Sequence, residues 1–353
     1  MKSYVKGLDR NGNFIFWLSR LLDFPFAKPE VLQISLTYRC SLKCRMCTIA
    51  NLLPVEEELS ANQVFKIVDQ AAAYGIKDML LTGGEPFLRE DIFSICDYSH
   101  GKGLRNIVTT NGILIDGDLA ERIAESKLDH IHFSLDGLEN TNDYYRGKNA
   151  FGKTIEAIQL LEKKRASGRR FSLGIAVTVM DENVSQLYDI TRLADGLNVD
   201  VINFQPLISD NANFIERKIP QNWVAADKIQ LLEDQIETIK KSAWKHITIL
   251  KEPRLELLVK YYQGTLQKTD WVCFGGFKTV FICFSKREPL VYTCHGICGN
   301  LSEVSLKKAW TSREARKLRI HSRNCKNLCL QSCYSREASG KLWSALGLKK
   351  EKG

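Results

Sequence analysis

From residue 31 onward, short apolar runs rich in β-branched residues take turns with stretches in which apolar positions recur at helical spacing. Val31–Thr37 is the first strand. Ser60 to Gln63 reads as a capping box, and Val64, Ile67, Val68 and Ala71 follow at i, i+3, i+4 and i+7, a helix that ends at Gly75. Asp78–Thr82, Asn106–Thr110, His130–Leu135, Phe171–Val179 and Val201–Pro206 are the next five strands. The helical stretches between them are Ile92–Ser99, Leu119–Ser126, Thr154–Lys164 and Val184–Ala194, and a long one runs from about Asn222 to Lys245. Before the first strand, Phe14, Trp17, Leu18, Leu21 and Leu22 share one helical face. That face predicts a helix packed on the body of the fold; the other reading is a helix lying in a membrane interface.

Six strand-then-helix units predict a parallel sheet covered by helices. In such folds the chemistry gathers at the C-terminal ends of the strands. Each short polar motif of this chain falls at such an end: Thr82-Gly83-Gly84-Glu85-Pro86, Thr109-Thr110-Asn111-Gly112 and Ser134-Leu135-Asp136-Gly137. Taken singly, Asn-Gly and Asp-Gly are ordinary turn signals. Tyr144-Tyr145-Arg146-Gly147 follows the fourth strand; Arg146 either holds a carboxylate or makes a surface ion pair. Alternation places Asn203 and Gln205 on one face of the sixth strand, toward a substrate pocket.

The chain has 353 residues and is 44% hydrophobic, enough for one large domain and a small one. A net charge of +9 is spread through helix-like segments and the tail (Lys341, Lys349, Lys350, Lys352), with no basic run interleaved with aromatics. A solvated surface is the reading, and no nucleic-acid partner is expected. Eleven cysteines without a visible signal peptide point to metal rather than disulfides, and to a cytoplasmic location. Cys96, mid-helix among apolar residues, reads as a small buried hydrophobe, and His130 and His132 as structural.

The most informative stretch is Cys40-Ser-Leu-Lys-Cys44-Arg-Met-Cys47, placed just after the first strand. Three thiolates on one loop can each bind one iron of a cubic [4Fe–4S] cluster and leave the fourth iron open to an amino acid. The other readings are a zinc knuckle, for which no close fourth ligand appears, or a chance group of core cysteines. The C-x3-C-x2-C spacing, followed by Gly-Gly-Glu-Pro at the end of the second strand, resembles the radical S-adenosylmethionine (SAM) enzyme superfamily. The resemblance implies a partial (β/α)6 TIM barrel, open on one side. It implies that Cys40, Cys44 and Cys47 hold the cluster and that Gly83, Gly84 and Glu85 meet the methionyl ammonium of SAM. Ser134, and after it Asp136, are then expected at the ribose and methionine carboxylate. Asn111 faces the same mouth, and Thr178 is expected beside the adenine through its backbone. Met46 stands where the family often has an aromatic residue and can pack on adenine through its thioether.

A second cysteine group comprises Cys273, Cys283, Cys294, Cys298, Cys325, Cys329 and Cys333. With Gly299-Asn300 and a helix near Trp310, it resembles the SPASM or shorter twitch extension that holds auxiliary [4Fe–4S] clusters. By that resemblance one full cluster is held by Cys273, Cys294, Cys325 and either Cys329 or Cys333. The chain has C-x3-C-x3-C where the extension usually has C-x2-C, which leaves the fourth ligand and the cluster number open; a zinc ribbon that His295 could join is the alternative. The domain division that follows is an N-terminal lead-in over 1–30, a core barrel over 31–250, the cysteine-rich extension over 251–335 and a basic tail over 336–353.

The implied activity is reductive cleavage of SAM to a 5′-deoxyadenosyl radical that takes hydrogen from a peptide or a small molecule. A flavodoxin or ferredoxin would be the reductant. The auxiliary cluster would assist oxidation or bind substrate. A non-catalytic iron–sulfur carrier or metal scaffold is the rival reading, against which the Gly-Gly-Glu-Pro motif weighs, since a carrier needs no site for an amino acid.

Overall fold

The computed structural model describes residues 10–47, 57–168, 171–208, 222–250, 253–326 and 328–331. Its parallel units run β1 (Val31–Thr37), α2 (Ala61–Tyr74), β2 (Asp78–Gly83), α3 (Ile92–Gly101), β3 (Arg105–Thr110), α4 (Gly117–Glu125) and β4 (Leu128–Ser134). They continue through α5 (Glu139–Arg146), α6 (Ala150–Ala166), β5 (Ser172–Val179), α7 (Leu187–Gly196), β6 (Val201–Pro206), α8 (Ile229–Lys241) and the short β7 (Thr248–Ile249). Before them lies α1 (Arg10–Leu21). After them come α9 (Leu255–Tyr262), β8 (Thr279–Ser285), β9 (Glu288–Thr293), β10 (Gly296–Asn300), α10 (Leu306–Thr311) and α11 (Arg313–Asn324). The strands form one sheet in the order β10-β9-β8-β1-β2-β3-β4-β5-β6-β7, parallel from β8 through β7 and antiparallel between β8, β9 and β10.

Alternation in the strands divides the core from the lumen. In β1, Leu32, Ile34 and Leu36 are buried in the main apolar core, while Gln33 and Ser35 are half-buried on the opposite face. The same split holds in β6, where Ile202 and Phe204 join the core and Asn203 and Gln205 take the other side. The first helix of the repeat is set by its sequence: the Ser60 hydroxyl caps the Gln63 amide and the Gln63 side chain answers to Ser60, worth about 1 kcal/mol. Val64, Ile67, Val68 and Ala71 are its buried face, and Gly75 closes it in the left-handed conformation at φ +93°.

Two helices are shorter than the apolar spacing predicts. The stretch from Asn222 to Lys245 is α-helical only over Ile229–Lys241, after a 3₁₀ turn at Ala226–Lys228. Trp223 lies outside it, packed between Tyr261 and Tyr262. The helix expected from Val184 starts at Leu187, because the Asn183 side chain bonds the backbone of Asp136, Thr178 and Met180 and holds Asp181–Gln186 in a 3₁₀ turn.

The N-terminal helix forms but turns a different face inward. Phe14, Leu21 and Leu22 are exposed, and the buried contacts are Phe16 and Ser19, with Phe16 and the following Ala27 against Phe274 and Phe277. The Ser19 hydroxyl donates to Ile15 O and accepts from Ala27 N–H, so a polar residue anchors the packed face. The helix therefore docks on the cysteine-rich segment. No helix among the described residues is long and apolar enough to cross a membrane. The basic tail lies outside the described residues.

Candidate functional site

The loop bearing Cys40, Cys44 and Cys47 leaves β1 at Thr37 and rests on the end of β2. Gly84 N–H donates to Thr37 O at 2.7 Å, and Glu85 N–H to Arg39 O at 2.8 Å. A Cβ on Gly83 would lie 2.2 Å from Thr37 O, and one on Gly84 2.0 Å from Arg39 O. Both glycines are thus required by close backbone approach. The Gly84 and Glu85 amides are spent inside the protein; a ligand ammonium, itself a donor, asks for carbonyls instead.

A latch that the sequence did not announce holds the base of this loop. Glu58 accepts from the Thr37 hydroxyl and from Arg39 Nε at 2.7 Å. The buried Arg89 donates to Leu36 O at 3.1 Å and Leu59 O at 2.8 Å while pairing with Asp91. Arg45 lies over the Tyr144 ring and donates to Tyr144 O, tying the loop to α5. The only forewarning is five charged residues near the motifs, a pattern that any solvated surface would share.

The three thiols are neighbours, since the Cys44 sulfur is within electrostatic reach of both Cys40 and Cys47. Cys40 Sγ accepts from Leu42 N–H at 3.4 Å and from Asn111 Nδ2 at 3.7 Å. Asn111 therefore stands at a cysteine sulfur and also touches Ser41. Burial pushes the Cys44 thiol up to about 11, opposed by the Arg146 guanidinium. Soft sulfur donors gathered on one loop, amide N–H groups aimed at sulfur and a cation beside Cys44 fit a thiolate-ligated iron–sulfur cube.

Glu85 is 1% exposed. Its carboxylate accepts from Thr110 Oγ1 at 2.8 Å, Asn111 N–H at 2.9 Å and Phe87 N–H at 3.2 Å. Burial raises its pKa, and the three donors oppose that. It stitches the end of β2 to the end of β3.

Asp136 departs from the expected ligand contact. It is fully buried, takes Thr178 N–H on Oδ1 at 2.7 Å and pairs through Oδ2 with Arg146 at 2.5 Å. Its carboxylate braces the end of β4 against β5. Arg146 is accordingly no surface residue: its side chain is 11% exposed. Thr178 departs as well. Its N–H goes to Asp136 and its carbonyl accepts from Asn183 Nδ2 at 2.7 Å, so its side chain, not its backbone, is left for adenine. Ser134 is half-buried at the end of β4, aligned with Ala176. Met46 packs against Tyr145, Met180 and Leu207.

Below the loops, the inward faces of the strands make a polar lumen. The register Ser35–Thr82 and Thr109–His132–Gly174 sets one level, and Ser134–Ala176–Asn203 the level above. His130 and His132 stack edge-on with centroids 4.1 Å apart beside Gly174, where a Cβ would fall 2.6 Å from His132 Nδ1. Burial lowers the His132 pKa to about 4 and that of His130 well below its usual value.

In the second group, Cys273 Sγ accepts from Gly275 N–H at 3.2 Å and lies within electrostatic reach of Cys329 and Cys294. A Cβ on Gly275 would fall 3.3 Å from Cys273 Sγ. Cys325 ends α11, and Arg20 of α1 donates to Cys273 O at 2.9 Å. Cys333 lies outside the described residues. Cys96 is fully buried in the core, as expected.

The Radical SAM superfamily profile matches residues 34–194. The AdoMet-dependent heme synthase of Oleidesulfovibrio alaskensis is 30% identical over 295 residues, 79% of this chain and 73% of that protein. The Fe-coproporphyrin III synthase of Methanosarcina barkeri is 32% identical over 192 residues, 54% of this chain but 47% of that protein, so the chain spans about half the length of that curated relative. Among solved structures, Streptococcus suis SuiB bound to S-adenosylmethionine shares the fold with a TM-score of 0.65 at 17% identity, covering 88% of this chain and 72% of that one; SuiB is also solved with its precursor peptide SuiA. The loop of three cysteines, the glycine cradle beneath it and a relative alike over most of both chains lead to one conclusion: this chain belongs to the radical SAM superfamily.

Proposed function

We propose that the protein is a radical SAM enzyme whose chain-specific residues shape a polar barrel lumen for hydrogen abstraction from a small molecule. The observation that carries this is the cysteine loop seated on Gly83 and Gly84 directly above that lumen. Cys40, Cys44 and Cys47 would hold a [4Fe–4S] cluster. Such a cluster would supply one electron to bound SAM, the source of methionine and a 5′-deoxyadenosyl radical.

The residues of the chain do the rest. Asn111 Nδ2 and Leu42 N–H direct hydrogen bonds to Cys40 and favour its thiolate. Arg146, fixed by Asp136, puts positive charge beside Cys44. Glu85 holds the ends of β2 and β3 at a constant spacing, which preserves the cradle for the methionine end of SAM. Ser134 and the side chain of Thr178 face the mouth where the nucleoside would lie. The walls keep water from a reactive carbon.

Cys273, Cys294, Cys325 and Cys329 or Cys333 would hold an auxiliary cluster in an extension over 251–335, apart from a core over 31–250. That cluster would take the second electron of an oxidation or bind substrate. A small molecule is preferred to a peptide because the relative similar over 79% of the chain is named for heme, whereas the peptide-bound structure is similar in fold at 16% identity. A flavodoxin or ferredoxin is the proposed reductant, and a cytoplasm the proposed location, since such clusters need reducing surroundings.

The test is product formation. Anaerobically reconstituted protein given dithionite and SAM should release 5′-deoxyadenosine, and Cys44→Ala should not. Equal release by the variant would remove the cysteine loop from the reaction.

A further inference from the structure

Cys283, one of the seven C-terminal cysteines, is among neither set of residues that would hold a cluster. It lies on β8, one residue beyond the Ile34–Ile282 register pair, so it follows Ser35 on the lumen side of the sheet. The hydroxyls of Ser35 and Tyr38 are within hydrogen-bond reach of its sulfur. Its neighbours Ile282 and Phe284 are in the core, which leaves the half-buried Cys283 side chain to the lumen. Tyr292, opposite Phe281 on β9, lies within electrostatic reach of both Cys283 and Cys294.

A second observation marks the same lumen as a place for a ligand. Asn203 is 6% exposed, shares the inward face of β6 with Gln205, and its Oδ1 has no hydrogen-bond partner. His132 Nδ1, in the level of Ser35, is likewise buried and unbonded. Buried polar atoms left unpaired are costly, and a substrate carrying a donor would relieve them.

We propose that Cys283 is a hydrogen-atom donor in the wall of the reaction chamber, its S–H quenching a carbon radical formed in the lumen. This rests on the radical SAM reading above and adds a redox-neutral outcome to it. An S–H bond is weaker than the C–H bonds of ordinary substrates, so the transfer runs toward carbon. The hydrogen moves with one electron from sulfur to the carbon radical; a C–H bond forms, the S–H bond breaks and a thiyl radical remains. One electron from a protein of the flavin or iron–sulfur class, or from dithionite in the assay, and one proton from solvent restore the thiol. Burial raises the Cys283 pKa, which keeps the hydrogen on sulfur at neutral pH.

The probe is SAM itself in D2O, without substrate. The thiol exchanges its hydrogen for deuterium, whereas carbon-bound hydrogens of the protein do not. Uncoupled cleavage in reconstituted full-length protein should give 5′-deoxyadenosine carrying one solvent deuterium. Cys283→Ser should still cleave SAM, with loss of that deuterium, and Tyr292→Phe should retain it. Deuterium unchanged in Cys283→Ser, or lost only in Tyr292→Phe, would overturn the proposal. No 5′-deoxyadenosine from the wild type would overturn the radical SAM reading, and this inference with it. An independent readout uses the iron-free chain: a small maleimide should label Cys283 and spare the fully buried Cys96. Cys283 as protected as Cys96 would contradict its place on the lumen wall.

Discussion

Glu85 shows how far a motif residue's role depends on its surroundings. Its place after two glycines suggests a contact to the ligand, yet its carboxylate binds three donors of the protein itself. Removing it leaves buried donors unpaired, at about 1–3 kcal/mol. Glu85→Ala should therefore lower the melting temperature of the iron-free chain as well as weaken SAM binding. A melt indistinguishable from wild type would mean that Glu85 does not stitch β2 to β3. His132 gives a pH test. Its pKa is depressed to about 4 from 6.5, so between those values the unfolded chain binds more protons than the folded one. Stability should then fall as pH drops from about 6.5 toward 4, by at most on the order of 3 kcal/mol from this residue. His132→Asn should flatten that slope in denaturant titrations; an unchanged slope would assign the acid sensitivity elsewhere. The residue types of both sites could be read from the chain, but burial could not. Asp-Gly and a strand end are visible in sequence, while the partners that take the Asp136 carboxylate and the Thr178 backbone, Arg146 and Asn183, come from separate elements.

The elements themselves were legible where one physical rule dominated. Strands with alternating burial and the capped α2 follow directly from local spacing. The misreadings occur where tertiary bonds override local pattern. Asn183 unwinds the start of α7, and Trp223 is drawn out of α8 by two tyrosines. At the N-terminal helix, Phe14, Leu21 and Leu22 of the apolar set are exposed and Trp17 and Leu18 half-buried, because docking uses Phe16 and Ser19. At this scale Gly84→Ala is the sharpest test. The new methyl would meet the Arg39 carbonyl at 2.0 Å, with backbone on both sides and no flexible side chain to yield. The variant should keep its circular dichroism but lose iron at the cysteine loop. Gly101→Ala, with open space around its Cβ, should leave iron unchanged. Full iron in Gly84→Ala would show that the loop does not need this seat.

For the whole molecule, the sheet carries one consequence that cysteine spacing alone does not contain. The C-terminal hairpin is not an appendage: β8 pairs with β1, so the strand that precedes the cysteine loop is held on one side by β2 and on the other by the cysteine-rich segment. The cysteine loop and the cysteine-rich segment are thus joined through the pairing of β1 with β8. With Cys40, Cys44 and Cys47 all changed to Ala, the chain should still hold about four irons if one auxiliary cube remains; stoichiometric zinc in place of iron would favour a structural ribbon. The central claim is that the three-cysteine loop leaves one iron open for SAM. It is tested most directly by the electron paramagnetic resonance spectrum of the reduced protein, with Cys273, Cys294, Cys325, Cys329 and Cys333 replaced by Ala so that only that loop contributes. Adding SAM should change the g-values of the signal, as a new ligand on iron must. A signal indifferent to saturating SAM would contradict the account.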